Sequence, residues 1–277
     1  GAVLLGLGLM TASQAASLWQ FQLLWGILIG TAVGAFYAPM MAIASAWIEH
    51  QRSLAVSLVS AGMGVAPLTV APFASYLITA YDWRTAMLVI GIVASALLIP
   101  AAFLVRPAPQ ATAPAATGGA DTPAVEWTVA QALRTPQFIT LALAHFCCCA
   151  AHSGPIFHMV SYAMVCGIAP LTAVTVYSLA GFSGLGGRLA LGVMADRIGA
   201  KPVLVGGLSV QALCVATYLA IGQLGEFYAL SVVFGLAYGG VMPLYAVLVR
   251  EFFGARIMGS VFGAVSAFAS LGMALGP

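Results

Sequence analysis

Charged side chains are scarce in this sequence, and their scarcity excludes most water-soluble folds. The 277 residues include 9 Lys and Arg and 7 Asp and Glu, so that 6% of the chain is charged, whereas about 25% is usual in soluble domains. Hydrophobic residues account for 62% of the chain. Because so few charges cannot cover a soluble protein of this length, the composition predicts an all-α protein whose helices cross a lipid bilayer.

The sequence also lacks the residue clusters that enzymes, channels and nucleic-acid-binding proteins require. It contains no Walker loop, no nucleophile beside a base and no pair of carboxylates on one apolar segment, which excludes the common classes of enzyme. It shows no ring of polar residues that would form a selectivity filter. A net charge of +2 without any basic run does not favour nucleic acid as a partner. We therefore expect neither an enzymatic activity nor a cofactor.

The few cysteines do not form a metal site or a disulfide framework. All five lie in apolar stretches, at Cys147, Cys148, Cys149, Cys166 and Cys214. Three successive residues point to different sides of a helix, so the triplet cannot complete one zinc site or close a disulfide of normal geometry. We interpret the cysteines as small apolar packing residues and expect no bound metal.

Long apolar runs make up most of the sequence. Nine segments approach the roughly 20 residues that a membrane-spanning helix needs. They are residues 1–18, 21–46, 54–80, 85–105, 137–163, 171–194, 203–223, 227–249 and 257–277. The long connection at 106–136 is rich in Pro, Ala, Thr and Gly, which is typical of a flexible linker, and we expect a short amphipathic helix at 127–133. Since both chain ends lie inside apolar runs, we expect the chain to be a piece of a longer protein.

The distribution of Lys and Arg predicts which side of the membrane faces the cytoplasm. If successive connections alternate sides, one side holds Arg52, Arg106, Arg134, Arg197, Lys201, Arg250 and Arg256. The other side holds Arg84, and Arg188 lies inside a span. Because cytoplasmic loops carry the excess of Lys and Arg, we expect the linker to be cytoplasmic and the protein to lie in the inner (plasma) membrane of a bacterium.

An internal repeat indicates two related halves. Pro39 precedes Arg52 by thirteen residues, and Pro243 precedes Arg256 by the same interval. This register predicts an N-terminal bundle at 1–105, the linker at 106–136 and a C-terminal bundle at 137–277. We expect each bundle to be part of a six-helix half, so that the complete protein has twelve spans.

The turn after Arg188 carries a known motif. Its pattern Gly-x-x-x-Asp-Arg-x-Gly-x-Lys is formed by Gly192, Asp196, Arg197, Gly199 and Lys201. With the six-plus-six organisation, this pattern resembles the cytoplasmic-loop motif of the major facilitator superfamily, and the resemblance covers the whole chain as the third to eleventh helices. The stretch WIEHQRSLAVSLVSAGMG, followed by Pro72 and Asp82-Trp83-Arg84, resembles the monocarboxylate-transporter branch and its bacterial relatives, including oxalate/formate exchangers.

The resemblance implies a role for Arg188. In that branch an arginine of the eighth helix, placed like Arg188, engages the substrate carboxylate. Gly184 stands where eukaryotic members have an aspartate, and residues 257–277 contain no cation such as oxalate exchangers carry. Proton coupling through that aspartate and dicarboxylate binding by two cations are therefore not implied for this chain.

Arg188 is also singled out by its depth. If its helix ends near Ala195, Arg188 lies roughly 12 Å inside that end, close to the middle of a hydrocarbon core about 30 Å thick. A charge at this depth is costly unless it faces water, a carboxylate or backbone carbonyls. We expect Arg188 to bind a carboxylate with both arms of its guanidinium group; a structural arginine satisfied by carbonyls is the alternative.

The turn at 196–201 predicts a conformational gate. Asp196 lies at the partially negative end of its helix, where a carboxylate needs a compensating partner. Arg197, Arg52 and the N-terminus of the helix that begins near Ser53 are the candidates. We expect this contact to form in one conformer and to break in the other, whereas a loop that only sets topology is the alternative. Further gate residues are Gly192, Gly199, Lys201 and Arg256.

Histidines in the span 137–163 are candidates for carrying a proton. His145 and His152 share a helix face, and we expect Pro155 to interrupt the helix before His158. A histidine titrates near neutral pH, so His152 or His158 could bind a coupling proton or contact the substrate. Hydrogen-bonded packing is the alternative.

Three tyrosines are candidates for the wall of the substrate path. Tyr37, Tyr238 and Tyr245 lie near the prolines of the fourth and tenth helices, which line the central path in the superfamily that the chain resembles. We expect their rings and hydroxyl groups to contact the substrate. Aromatic packing between the bundles is the alternative.

Together these features favour a secondary transporter of small organic anions that works by alternating access, with proton symport or anion exchange. Its partners would be the anion, a proton and the lipid bilayer. Two alternatives stay open: an efflux pump for drug-like or neutral solutes, and a non-transporting membrane sensor or scaffold of the same fold.

Overall fold

The computed structural model describes residues 1–48, 50–106 and 127–276, and no strand occurs within these ranges. Most of the predicted linker, together with Glu49 and Pro277, lies outside the described residues. The helices are α1 (Ala2–Ala12), α2 (Leu18–Leu23), α3 (Gly30–Trp47), α4 (Arg52–Ala80), α5 (Trp83–Leu104), α6 (Val129–Ala132), α7 (Pro136–Val165), α8 (Pro170–Ile198), α9 (Ala200–Thr217), α10 (Leu224–Val241), α11 (Leu244–Phe253) and α12 (Met258–Leu275). A π-helical segment, Leu24–Ile29, joins α2 to α3 without a break.

Six helical stretches of the described chain are long and apolar enough to cross a membrane. They are Leu18–Trp47, Trp83–Leu104, Pro136–Val165, Ala200–Thr217, Leu224–Phe253 and Met258–Leu275. The predicted count of nine is therefore not established, although the helices occur in the predicted order. Helix α1 is short, and α8 is long but carries Arg188, glycines and serines that lower its hydropathy.

Local sequence signals explain where the helices begin. Ser17, Asp82 and Thr135 each accept a hydrogen bond from a backbone N–H in the first turn of α2, α5 and α7, as N-cap residues do. Thr128 and Gln131 form a reciprocal capping box at α6, within the predicted short helix. Proline stands at the first position of α7 and α8, where its missing N–H costs nothing.

The predicted interruption at Pro155 is wrong. Helix α7 runs without a break from Pro136 to Val165 with Pro155 inside it. A proline removes a single N–H from the ladder, and neighbouring helices can satisfy the carbonyl that it frees. A helix is interrupted instead at Met242-Pro243, between α10 and α11.

The chain on either side of the linker is here called the first half (α1–α5) and the second half (α7–α12). Helix α1 packs on α5 in the first half, while α7 packs on α12 and α8 on α10 in the second; α4 packs against α8 and so joins the halves. The residues that flank the linker dock at one end of the structure. There Trp47 Nε1 donates to the carbonyl of Arg106, and Arg256 Nη2 donates to that of Trp127, each over 3.1 Å. We call this the linker end.

Helices α8 and α10 pack so closely that their contact has no room for side chains. A Cβ atom added to Gly187 would overlap the backbone of Leu236, and one added to Gly239 would overlap that of Gly184. Small residues at such a contact let two backbones approach in a membrane. The close approach brings Tyr238 of α10 towards Arg188 of α8.

Replacing Gly239 by alanine should therefore separate the two helices. We expect Gly239→Ala to lower the stability of the purified protein by about 1–3 kcal/mol through overpacking, measured as a lower midpoint of thermal unfolding. Gly181→Ala, on α8 with open space around it, is the matched control and should be neutral or slightly stabilising. Equal midpoints for the two variants would contradict this account of the contact.

Candidate functional site

The buried cation Arg188 lies where the two halves meet. Its side chain is 3% exposed, and its Nε donates a hydrogen bond of 3.2 Å to Ser60 Oγ of α4. Gly64 of α4 and Gly184 of α8 flank the guanidinium group, since a Cβ on either would lie 3.2 or 3.4 Å from Nη1. Two glycines and a serine thus leave space around a charge that has no carboxylate within salt-bridge distance among the described residues.

Two of the predicted tyrosines lie beside Arg188. The guanidinium carbon is 6.0 Å from the centre of the Tyr238 ring, within the range of a cation–π contact. Tyr37 of α3 lies next to Ser60 and close enough to Arg188 to feel its charge. The structure therefore places one tyrosine from each half around the arginine, and Cys149 of α7 lies near enough to both for an electrostatic interaction.

His152 of α7 extends this cluster within the second half. It is 1% exposed, and its ring centre lies 4.6 Å from that of Tyr238. Its Nδ1 is 3.8 Å from Cys148 Sγ, and Cys148 contacts Gln211 of α9 through both its sulfur and its carbonyl oxygen. The interpretation of all cysteines as apolar packing residues is therefore wrong for Cys148, whose thiol lies between two polar side chains.

His145 and Tyr245 lie apart from Arg188. Their rings are stacked, with centres 3.9 Å apart and planes 11° from parallel. Tyr245 is completely buried, so that it does not line an open cavity in this conformation. His145 Nδ1 and the Tyr245 hydroxyl find no hydrogen-bond partner among the residues that the structure describes.

His158 is not brought together with Arg188. It is exposed and lines a separate pocket of about 330 Å³ together with Tyr162 of α7 and Tyr218, which directly follows α9. Of the two histidines that we predicted for a proton, the structure places only His152 in the Arg188 cluster.

At the linker end, Asp196 caps a helix of the other half. Its Oδ1 accepts from the backbone N–H of Ser53 over 2.8 Å, and its Oδ2 accepts from that of Leu54 over 3.0 Å. Helix α4 begins at Arg52, so the carboxylate binds the partially positive N-terminus of that helix. We call this pair of hydrogen bonds the linker-end contact.

The remaining residues of the predicted gate surround this contact in different ways. A Cβ on Gly192 would lie 2.6 Å from Ser57 Oγ, so α4 and α8 touch there. Gly199 adopts φ +92° between α8 and α9, a conformation that favours glycine. Arg197 and Lys201 are exposed, and Arg52 lies near enough to Glu251 for an electrostatic interaction.

Sequence reasoning missed three residues that join the halves. Ser60 was not predicted, although Ser53, Ser57, Ser60 and Gly64 form one small-residue stripe along α4. Arg250 of α11 and Ser45 of α3 were also missed: Arg250 Nη1 donates to Ser45 Oγ over 2.8 Å, and Arg250 is 9% exposed. The sequence gives no signal for this pair, because the burial of Arg250 is visible only in the structure.

Hydrogen bonds between the two halves are confined to one part of the described structure. They involve Ser45, Ser53, Leu54 and Ser60 of the first half, and thus extend from the linker end to the depth of Arg188. The halves are therefore closed against each other at the linker end, and the Arg188 cluster forms the inner limit of that closed region.

The linker-end contact makes a prediction about hydrogen exchange. Asp196→Asn removes the charge and one acceptor, which should weaken the contact by about 1–2 kcal/mol and raise exchange at the Ser53 and Leu54 amides roughly tenfold. Mass spectrometry of exchanged peptides from the start of α4 measures this effect.

Asp82→Asn is the matched control for that measurement. Asp82 caps α5 at the other end of the structure, where hydrogen bonds from Thr85 hold the pKa of its carboxyl below the usual value. Exchange at the start of α4 should not change in this variant. Equal exchange in wild type and Asp196→Asn would show that the contact does not persist in solution.

Comparison with known proteins agrees with this architecture. The family model of the Major Facilitator Superfamily matches residues 1–277. The chain is similar to Monocarboxylate transporter 13 of Bos taurus, with 28% identity over 279 residues that cover 100% of this chain and 64% of the relative. Monocarboxylate transporter 11 of Homo sapiens is 28% identical over 298 residues, covering 100% of this chain and 60% of the relative.

A bacterial relative is also similar over nearly the whole chain. The Uncharacterized MFS-type transporter YhjX of Escherichia coli (strain K12) is 25% identical over 271 residues, which cover 95% of this chain and 65% of the relative. The chain thus spans less than two thirds of the length of these curated relatives. Since the family model matches the whole chain, this protein belongs to the Major Facilitator Superfamily.

Proposed function

We propose that the protein is a secondary transporter of small monocarboxylates. The observation that carries this proposal is the state of Arg188: a guanidinium group that is 3% exposed, lies between the two halves and has a neutral hydroxyl as its hydrogen-bond acceptor. A buried charge without a counter-ion is unfavourable. A substrate carboxylate would neutralise it with a bidentate pair of hydrogen bonds.

The neighbours of Arg188 set the kind of acid that fits. The cation–π partner Tyr238 and the ring of Tyr37 offer apolar faces with hydroxyl groups, while Gly64 and Gly184 leave room at Nη1. No second cation lies in this cluster among the described residues. One charge and two aromatic walls suit an acid with one carboxylate and a short carbon chain better than a dicarboxylate.

Movement of the two halves would carry the substrate across the membrane. We infer that the first and second halves are the two bundles that rock around the Arg188 site, and that the structure represents the conformer closed at the linker end. Opening would break the linker-end contact, and the Arg250–Ser45 and Arg188–Ser60 hydrogen bonds with it. The excess of Lys and Arg at this end supports a cytoplasmic linker and a location in the inner membrane.

His152 is our candidate for a coupling proton. It lies one aromatic ring away from Arg188, so its protonation and the arrival of an anion would influence each other electrostatically. This arrangement supports proton symport over anion exchange, although either would use the same arginine. His158, in its separate pocket, has no such connection to the anion site.

Removing the charge of Arg188 tests the proposed function. In proteoliposomes that hold the full-length protein, Arg188→Gln should lower the kcat/KM for labelled pyruvate about 100-fold or more, the cost of losing one partner of a desolvated charge pair. Arg188→Lys keeps the charge without the planar fork and should recover only part of the uptake.

Two comparisons separate this outcome from loss of structure. Arg134→Gln, in an exposed position next to α7, should transport like wild type. Arg188→Gln should unfold at the same or a higher temperature, because it removes a buried charge that has no carboxylate partner among the described residues. A lower unfolding temperature with unchanged uptake would show that Arg188 is a structural residue, and would favour transport of neutral solutes.

The closed linker end makes a second prediction. Gly192→Val would place side-chain atoms where Ser57 packs and should prevent α4 and α8 from meeting. We expect uptake to fall about tenfold or more because one conformer is lost. Labelling of a Ser57→Cys reporter by a membrane-impermeant maleimide, applied at the linker side and measured by peptide mass spectrometry, should rise.

Gly206→Val on α9 is the control, because nothing lies within 4 Å of a Cβ added there. This variant should show wild-type uptake and little labelling at position 57. If the Gly192→Val protein shows little labelling at position 57 and normal uptake, α4 and α8 do not form the seal between the halves.

A further inference from the structure

Gln211 is a polar side chain in a place where polar groups are costly. It lies on α9, is 2% exposed and belongs to a stretch apolar enough to cross a membrane. Its Nε2 lies 3.2 Å from the carbonyl oxygen of Cys148 and 3.4 Å from its sulfur, and its Oε1 lies 3.6 Å from the same sulfur. Both ends of the amide are therefore committed to one residue of α7.

These contacts of Gln211 fix the direction of the Cys148 S–H bond, and so they decide whether the sulfur presents its hydrogen or its lone pairs to His152. The Gln211 amide oxygen can only accept, whereas His152 Nδ1 can donate or accept according to the tautomer, so these groups are all satisfied when the Cys148 S–H points to Gln211 Oε1. The sulfur then presents its lone pairs to His152 Nδ1, 3.8 Å away. A lone pair facing Nδ1 holds the neutral ring in the tautomer with hydrogen on Nδ1. The nitrogen left to accept a proton is Nε2.

Several side chains surround His152 or act on it through a neighbouring residue. On α7 they are Cys148, Cys149 and His145; from other helices, Tyr238 of α10 meets the ring, Gln211 of α9 acts through Cys148, and Tyr245 of α11 lies near the cysteines. No carboxylate of the described residues faces the ring, and the nearest fixed charge is Arg188 beyond Tyr238.

A proton on His152 would add a second positive charge beside Arg188, with the Tyr238 ring between them, and like charges repel each other. A carboxylate bound to Arg188 would cancel this repulsion. The protein with bound anion would then bind a proton more tightly, and the protonated protein would bind the anion more tightly. Two binding events that strengthen each other are what coupled transport of an acid and a proton requires.

We propose that Gln211 and Cys148 are positioning residues that hold His152 Nε2 as the binding site of the transported proton. This inference rests on the proposed transport of monocarboxylates. It gives α9, from which no residue contacts Arg188 in the cluster described above, a part in proton coupling.

Transport by Gln211→Met tests the proposal, because methionine fills the same space without an amide. In wild type, the apparent affinity for pyruvate should fall about tenfold per pH unit above the protonation range of His152. In Gln211→Met this dependence should shrink to less than about twofold per unit, while pyruvate counterflow at equal pH persists. Gln211→Glu keeps the acceptor oxygen and should restore the dependence.

Thr217→Val is the matched control on α9, since the Thr217 hydroxyl bonds only to Leu213 of its own helix among the described residues. It should keep the wild-type pH dependence. A Gln211→Met protein whose counterflow and pH dependence both match wild type would overturn the proposal. Equal loss of counterflow and gradient-driven uptake would also overturn it, because it would assign Gln211 a purely structural role.

A measurement without transport separates failure of this proposal from failure of the proposed function. Ring ¹⁵N resonances of the purified protein report each histidine tautomer, and His152 is assigned by its absence in His152→Gln. We expect the Nδ1–H tautomer in wild type and a mixture in Gln211→Met. Unchanged His152 resonances would refute the positioning role, whereas the expected change in a protein that transports no acid would refute only the monocarboxylate substrate.

Discussion

The structure depends on the cost of one positive charge in an apolar interior. Arg188 has lost its water, and the protein gives it Ser60 as a neutral acceptor, the face of Tyr238 and space beside Gly64. None of these neutralises the charge. The close glycine packing of α8 on α10, which brings Tyr238 to the guanidinium group, is best understood as part of the same arrangement. A buried charge of this kind is stabilised by a group of opposite charge, which supports the proposed anion site.

At the linker end the charge is negative, and backbone N–H groups of the other half compensate it. Asp196 is a negative charge at the unfavourable end of its own helix, and it is compensated by the first N–H groups of α4 from the other half. The bond is therefore available only when the halves are closed there. The proposed anion site at Arg188 and the linker-end contact at Asp196 lie on the same helix, α8, about two turns apart. Binding at Arg188 and separation at Asp196 can thus be transmitted through one rigid element.

Much of this was predictable from residues whose environment is set by their own helix. Arg188 was identified by its depth, and the helix N-terminus was among the partners expected for Asp196 because helix ends carry partial charges. Contacts between distant segments were not predictable: Ser60, Gln211 and Arg250 act through partners far away in the chain, and no local pattern specifies them. The break expected at Pro155 is wrong because a membrane helix tolerates one missing N–H. The pairing of Cys148 with Gln211 likewise needed the packing of α9 on α7.

The central claim is that Arg188 binds a carboxylate, and calorimetric titration of the purified full-length protein with lactate and with lactamide tests it most directly. The two ligands have nearly the same shape and differ in charge. The account predicts saturable binding of lactate that is lost in Arg188→Gln, and no measurable binding of lactamide. Equal binding of both ligands, or binding of lactate that survives the loss of Arg188, would contradict it.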